Sequence, residues 1–326
     1  MIQASGLVKE YVVTKKKGFF HKTKERVVAV NGLDLSIHKG EIVGLLGLNG
    51  AGKTTTIKML STLLSPTSGT ILVDGEDITT NAKRTKQKVN MIAGGERMLY
   101  WRLTGYENLV YFGKLYGLSG QSLSERIWSL LEIVGLSDVA HKPVEQYSKG
   151  MKQRLQIARG LINDPSYIFL DEPTLGLDTP IAKQLRKLIR TLATEQGKGV
   201  LLTTHYLDEV EELCDRVYII NKGELLMHNS PEKIIETVVK DYSVTVITEP
   251  LRIDSIKNIE STLNKNHISV HASLVQEGQL LSFNAPYDPT TTILNTCMEN
   301  GLTIQKFEVN RPKLEDAIIH LAGEAS

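Results

Sequence analysis

The stretch "GLNGAGKTT" sets Gly47, Gly50 and Gly52 ahead of Lys53, Thr54 and Thr55, between the apolar run "EIVGLL" and the helix-forming "TIKML". Its spacing fits G-x-x-x-x-G-K-[ST], a loop whose backbone N–H groups and following helix start surround phosphate oxygens while glycines let the main chain come close. In that pattern Gly47, Leu48, Asn49, Gly50, Ala51 and Gly52 form the cradle, with Thr55 just inside the helix. Lys53 reaches the β and γ phosphates and the Thr54 hydroxyl meets Mg²⁺. A second stretch, "YIFLDEPTLGLD", ends four apolar residues at Asp171 and Glu172. That places two carboxylates at the carboxyl edge of a parallel sheet, where ligands of such sheets bind. Asp171 is expected to hold Mg²⁺, directly or through water. Glu172 is then placed to polarise an attacking water, because phosphoryl transfer needs a positioned nucleophile more than covalent help. A third stretch, "YSKGMKQRLQIARG" from Tyr147, reads as another anion-binding helix start, so one chain carries two places to hold phosphate.

These residues need a scaffold, and the hydrophobic pattern supplies one. From about Leu7 to Ser230 apolar strand-like runs (Ile42 to Leu46, Tyr167 to Leu170, Val200 to Thr203, Val217 to Ile220) alternate with amphipathic helix patterns, which predicts an α/β chain with a largely parallel sheet. Between Leu99 and Gly160 helix patterns follow one another with no strong strand, as in an all-helical insertion. After Pro231 the order strand, helix, strand, strand, helix, strand, with a last helix from Lys313, predicts a small α+β ferredoxin-like sandwich. The expected domains are therefore 1–235, with a helical subdomain at about 99–160, and 240–326.

Composition bounds the partners. Lys plus Arg number 38 against 37 Asp plus Glu, so no global field draws the chain onto nucleic acid or a membrane. One local run, "KKKGFFHKTKER" from Lys15, interrupts an N-terminal hairpin pattern; it reads as a solvated loop, or as a basic patch tipped by Phe19 and Phe20 that touches a partner or lipid headgroups. Cys214 and Cys297 lie far apart without metal or redox spacing, which points to a reducing compartment, the cytosol. No run approaches the roughly 20 apolar residues that span a bilayer, and "MIQASGLVKEY" lacks the features of a signal peptide.

Taken together, the motifs resemble the ATP-binding cassette ATPases over roughly residues 1–235. "YSKGMKQRL" is similar to the family signature, with Ser148, Lys149, Gly150 and Met151 standing where the usual pattern has Ser-Gly-Gly-Gln; the second glycine is kept and the first is not. The resemblance implies a P-loop NTPase fold, ATP and Mg²⁺ as ligands, and two protomers packed head to tail. Each signature helix start then faces the ATP held by the other chain, which accounts for two phosphate-binding places. It further implies that His205, in "VLLTTHYLDEVEELCDRV", contacts the γ phosphate. Tyr11 stacks on adenine or else packs in its sheet. Asp178 communicates across the dimer, or serves only as the acid at a helix start. Most members carry a glutamine that touches Mg²⁺ where this chain has Gly95; either Glu96 substitutes for it at the metal, or backbone carries the link.

Within the family, "GGERMLYWRLTGYENL", the Ser-x-Gly-Met signature and the C-terminal tail ending "NRPKLEDAIIHL" look most like ATPase subunits of drug, antibiotic or peptide exporters. The implied partners are a separate transmembrane permease and a second cassette, most simply a copy of this chain, at the cytoplasmic face of the membrane. Tyr100, Trp101 and Tyr106 would anchor a permease helix or else form the core of the insertion. The rival reading is a cassette ATPase acting on nucleic acid or ribosomes. Against it stand the balanced charge, the lack of a long coiled coil between Lys53 and Tyr147, and a single cassette in the chain; no nucleic acid is expected. The C-terminal sandwich, free of metal or phosphate motifs, reads as a dimerisation or bracing element rather than a ligand sensor.

Overall fold

The computed structural model describes residues 1–17, 21–93, 99–238, 242–251, 253–275, 278–310 and 313–324. The chain divides into two compact units, Met1–Pro231 and Glu232–Ser326. The first opens with β1 (Ile2–Lys17) and β2 (His21–Ile37), continues through β3 (Ile42–Leu46), α1 (Lys53–Leu60), β4 (Ser68–Val73), β5 (Glu76–Asp77), α2 (Ala82–Lys88) and β6 (Val89–Ala93), and enters a helical stretch of α3 (Gly105–Leu115), α4 (Gly120–Ile133) and α5 (Lys149–Gly160). It returns through β7 (Tyr167–Asp171), α6 (Thr179–Thr194), β8 (Gly199–Thr203), α7 (Leu207–Leu213), β9 (Arg216–Asn221) and β10 (Glu224–Asn229), after which α8 (Pro231–Val238) leads on.

Two sheets form the scaffold of the first unit. The larger runs β10-β9-β3-β8-β7-β6; its pairings are parallel except β9 with β10. All five residues of β3 and of β8 are buried, as expected of central parallel strands covered on both faces. Their carboxyl ends, together with that of β7, carry the phosphate loop, His205 and the Asp171–Glu172 pair. The smaller sheet, β2-β1-β4-β5, is antiparallel and was not foreseen from the sequence. Its inner face buries Ile2, Leu7, Leu33 and Ile37 in one core with Val43, Leu45 and Phe169 of the larger sheet, burial that is worth about 1.5–3 kcal/mol for each large side chain.

The basic run from Lys15 does not interrupt the hairpin. Backbone pairing of β1 with β2 continues into it, with Lys15 opposite Thr23, as far as Lys17 opposite His21. Pairing of β1 with β4 stops at Val8, so the outer part is a two-stranded ribbon on which Tyr11, Val12, Val13, Val27 and Val28 are exposed. Phe19 and Phe20 lie outside the described residues.

In the helical stretch, a capping box starts α3: the Thr104 side chain accepts from Glu107 N–H while the Glu107 carboxylate accepts from Thr104 N–H. Leu109, Ile127, Leu130 and Leu131 are buried there. Tyr106 is half-buried against the rings of exposed Trp128 and His141, whereas Tyr100 and Trp101 remain about half exposed.

In the second unit β11 (Tyr242–Thr248), α9 (Ile253–Asn264), β12 (Ser269–Val275), β13 (Gly278–Ala285), α10 (Thr290–Glu299), β14 (Ile304–Asn310) and α11 (Leu314–Glu324) follow one another. The antiparallel sheet has the order β12-β13-β11-β14, the strand order of a ferredoxin-like sandwich. Alternate residues such as Val244, Val246, Leu281 and Phe283 meet Ile259, Leu263, Ile293 and Cys297 of α9 and α10 in its core.

Candidate functional site

The phosphate loop is shaped by positions where only glycine fits. Gly52 sits at φ +105°, and a Cβ there would lie 2.5 Å from the Ala29 carbonyl oxygen. Gly47, at φ +156°, would bring its Cβ to 2.2 Å from the Ile220 carbonyl oxygen. The loop is held from behind by the β9–β10 turn, where Gly223 N–H donates to the Ala51 carbonyl at 3.0 Å and the Gly223 carbonyl accepts from Asn31 N–H at 2.9 Å. Lys53 Nζ donates to the Gly47 and Leu48 carbonyl oxygens at 2.7 and 3.2 Å, which folds the ammonium back over the loop. Burial lowers the Lys53 pKa, and the Glu172 and Asp171 carboxylates oppose that shift.

A cavity of about 210 Å³ opens at this loop, lined by Ala29, Asn49 to Thr55, Glu172 and His205. Strand register explains how residues from β7 and β8 come here: Asp171 pairs with Thr203, and Thr203 Oγ1 donates to Asp171 Oδ1 at 2.5 Å. Just beyond, Glu172 N–H donates to the Thr203 carbonyl at 2.9 Å. Glu172 has φ +52°, a left-handed conformation that costs an L-residue roughly 1–2 kcal/mol. Such strain concentrates where side-chain aim matters. The result is a contact of 2.7 Å from His205 Nε2 to Glu172 Oε1.

Oxygen donors suited to Mg²⁺ are present: the Thr54 hydroxyl, at an exposed position, and the Asp171 carboxylate, with Oδ1 oriented by Thr203. Among the described residues no group of three or more His, Cys, Asp or Glu could hold a metal by itself. A sparse hard-oxygen set fits an ion that keeps waters and takes further ligands from substrate phosphates. Gly95 and Glu96 lie outside the described residues.

The signature stretch builds a capped helix away from this cavity. Ser148 is the N-cap of α5, and its Oγ accepts from Met151 N–H at 3.2 Å. Gly150 is required by packing, since a Cβ there would lie 2.7 Å from Ile181 Cγ2. Lys149, which replaces the usual first glycine, lies over Gly176 in the loop after Glu172, so that a Cβ on Gly176 would meet Lys149 Nζ at 2.2 Å. Neither Ser148, Gly150, Asp178 nor Tyr11 lines the phosphate cavity of its own chain. Asp178 is exposed ahead of α6 and makes no side-chain cap. Tyr11 is opposite Val27 in the ribbon, two residues from the cavity-lining Ala29, with Lys9 Nζ 5.6 Å from its ring centre.

A family profile described as ABC transporter matches residues 30–175, which include the phosphate loop, the signature and the Asp171–Glu172 pair. The ABC transporter ATP-binding protein NatA of Bacillus subtilis is 44% identical over 218 residues, 67% of this chain and 88% of the relative. The linearmycin resistance ATP-binding protein LnrL of the same organism is 33% identical over 310 residues, 94% and 96% of the two chains. The chain belongs to the ABC transporter ATPase family.

As a family member it is an ATP-binding and ATP-hydrolysing subunit of an ABC transporter. A dimeric ATP-binding cassette solved in a post-hydrolysis state with ADP and Pi is 26% identical and superposes with a TM-score of 0.60, covering 71% of this chain and 98% of that one. The match to LnrL continues through the second unit. Among the described residues no helix is long and apolar enough to cross a membrane.

Sequence reasoning missed Thr203, which orients Asp171, and the Gly223 support behind the loop, which bonds Ala51 and Asn31. Neither has a local motif. The "TTH" segment before α7 was the available signal for Thr203, but its partner is fixed only by the register of β7 with β8.

Proposed function

We propose that this ATPase powers an exporter of an antibiotic-like, drug-like or peptide substrate through a separate permease, as a homodimer at the cytoplasmic face of the membrane. The observation that carries the hydrolytic part of this reading is the convergence of Lys53, Glu172 and His205 on one cavity at the carboxyl edge of the parallel sheet. In this reading the backbone N–H groups from Asn49 to Thr55 hold the phosphates of ATP, and Lys53 exchanges its carbonyl partners for β and γ oxygens. Thr54 and Asp171 would hold Mg²⁺, which would supply charge neutralisation beside the phosphates. Glu172 orients and polarises the attacking water while His205 steadies Glu172 and contacts the γ phosphate.

Ser148 and Gly150 of one protomer complete the site of the other, with Asp178 near the junction and Tyr11 stacking on the base. Shared phosphates join the two cassettes and hydrolysis loosens them, so the difference in ATP affinity between open and closed dimers drives the permease. The exposed Tyr100 and Trp101 are suited to a permease helix. The exporter reading rests on relatives named for linearmycin, bacitracin and daunorubicin resistance or transport and on the match to LnrL, which continues through the second unit. Affinity purification of the tagged chain from its native membranes in mild detergent tests it: a polytopic membrane protein in near-equal amount is expected, and recovery of ribosomes or nucleic acid instead would overturn it.

A further inference from the structure

The loop after Glu172 and the turn bearing His205 are joined again, away from the phosphate cradle. Glu209, in the first turn of α7, is 1% exposed. Buried Thr174 donates from Oγ1 to Glu209 Oε2 at 3.1 Å. Main-chain bonds tie Glu209 to the His205 turn: its N–H donates to the Tyr206 carbonyl at 3.1 Å, and Tyr206 N–H donates to Oγ1 of buried Thr204 at 3.0 Å. Glu209 Oε1 has no hydrogen-bond partner among the described residues. The side chain borders a second cavity, of about 230 Å³, with Thr174, Leu177, Arg186 and Tyr206.

A buried carboxylate with one oxygen unpaired is a poor way to stabilise a fold. Burial raises its pKa despite the opposing effects of Thr204, Thr174 and Arg186, and an apolar side chain of similar volume is often neutral or better at such a position. What an apolar residue cannot do is accept the Thr174 hydroxyl.

We propose that Glu209 is a positioning residue for ATP hydrolysis, which through Thr174 locks the loop carrying Glu172 to the turn carrying His205. The inference rests on the reading of Glu172 and His205 as the hydrolytic pair. A small misplacement of that pair slows the chemical step while leaving the phosphate cradle, and so nucleotide binding, intact.

The test uses the purified full chain, with kcat and KM for ATP, nucleotide affinity and the thermal midpoint measured together. Glu209→Leu lowers kcat by about 10- to 100-fold, leaves KM and nucleotide affinity at wild-type values, and holds or raises the midpoint. Glu209→Gln keeps an acceptor for Thr174 and recovers most of the rate. Thr174→Val reproduces the Leu defect, and combining it with Glu209→Leu adds no further loss, because both remove the same link. Wild-type kcat in Glu209→Leu, losses that multiply in the double variant, or a rate loss that tracks a falling midpoint would each overturn the proposal. If Glu209→Leu does not fold, Thr174→Val decides alone, and wild-type kcat there overturns it. Glu172→Gln measured in parallel separates the two levels. Full activity in that variant removes the hydrolytic pair itself, whereas an inactive Glu172→Gln beside a fully active Glu209→Leu removes only the positioning role.

Discussion

Replacing Glu172 by glutamine is the sharpest probe of the site, because it changes charge and basicity with almost no change in shape. Glutamine fits the same volume, tolerates the φ of +52° as glutamate does, and keeps a carbonyl oxygen where His205 Nε2 now lies 2.7 Å from Oε1. The cradle is untouched, since Lys53 rests on the Gly47 and Leu48 carbonyls rather than on Glu172. Nucleotide affinity should therefore stay at the wild-type value or rise, as one negative charge facing the phosphates has gone. The amide cannot take a proton from water, and a positioned general base contributes about 10²–10⁴-fold. At about 1.36 kcal/mol per tenfold, the barrier rises by about 3–5 kcal/mol. Single-turnover phosphate release from purified protein with Mg²⁺ and ATP measures the rate, and size-exclusion chromatography with ATP measures the dimer. The expected result is a slow enzyme that accumulates as an ATP-bound dimer. Phosphate release within a few-fold of wild type would refute the assignment of the base, and loss of ATP binding would refute the claim that Glu172 stands apart from the cradle.

Other substitutions check the surrounding argument. Lys53→Ala removes the ammonium that lines the phosphate cavity and should weaken ATP binding about 10- to 100-fold; unchanged affinity by a fluorescent-nucleotide titration would count against the cradle. Gly160→Ala puts a Cβ 2.4 Å from both Cγ1 and Cδ1 of buried Ile92, which should destabilise the chain by about 1–3 kcal/mol in urea unfolding. Adding Ile92→Ala should cost less than the sum of the two single changes; simple additivity would mean that the contact carries no strain. Burial alone would raise the Asp74 pKa, but the Tyr167 hydroxyl, 2.6 Å away, and Lys39 help pull it down from 3.8 to about 2. A depressed carboxylate stabilises the fold above its unfolded pKa and loses that stabilisation as pH falls through the folded value. The stability gap to Asp74→Asn should therefore be about 1 kcal/mol at neutral pH and close steadily as pH drops from 4 toward 2; a gap independent of pH would exclude the mechanism.

The amino-acid sequence by itself determined the features whose cause is local. The phosphate loop was legible because Gly47 to Thr54 form one continuous turn and helix start, in which backbone geometry dictates residue type. The Asp171–Glu172 pair was legible because a buried strand ends beside it. The second unit's strand and helix order followed from periodicity alone, since each element buries one face, and its strand order then matched the expected sandwich.

Only the tertiary structure decided the rest. The basic run from Lys15 carries no alternation of apolar residues, so nothing local distinguishes loop from ribbon; cross-strand backbone pairing, with Lys17 opposite His21, settled it. The antiparallel β2-β1-β4-β5 sheet depends on β4 returning to β1 across the phosphate loop and α1, a pairing between segments distant in the chain. Likewise, Thr203 on Asp171, His205 on Glu172, Lys149 over Gly176 and Thr174 on Glu209 each join residues far apart in sequence. Spacing within one segment fixes what a loop can hold, but the aim of a side chain across two loops depends on which strands lie side by side and in what register. That is set by burial of the whole sheet, to which no single motif corresponds.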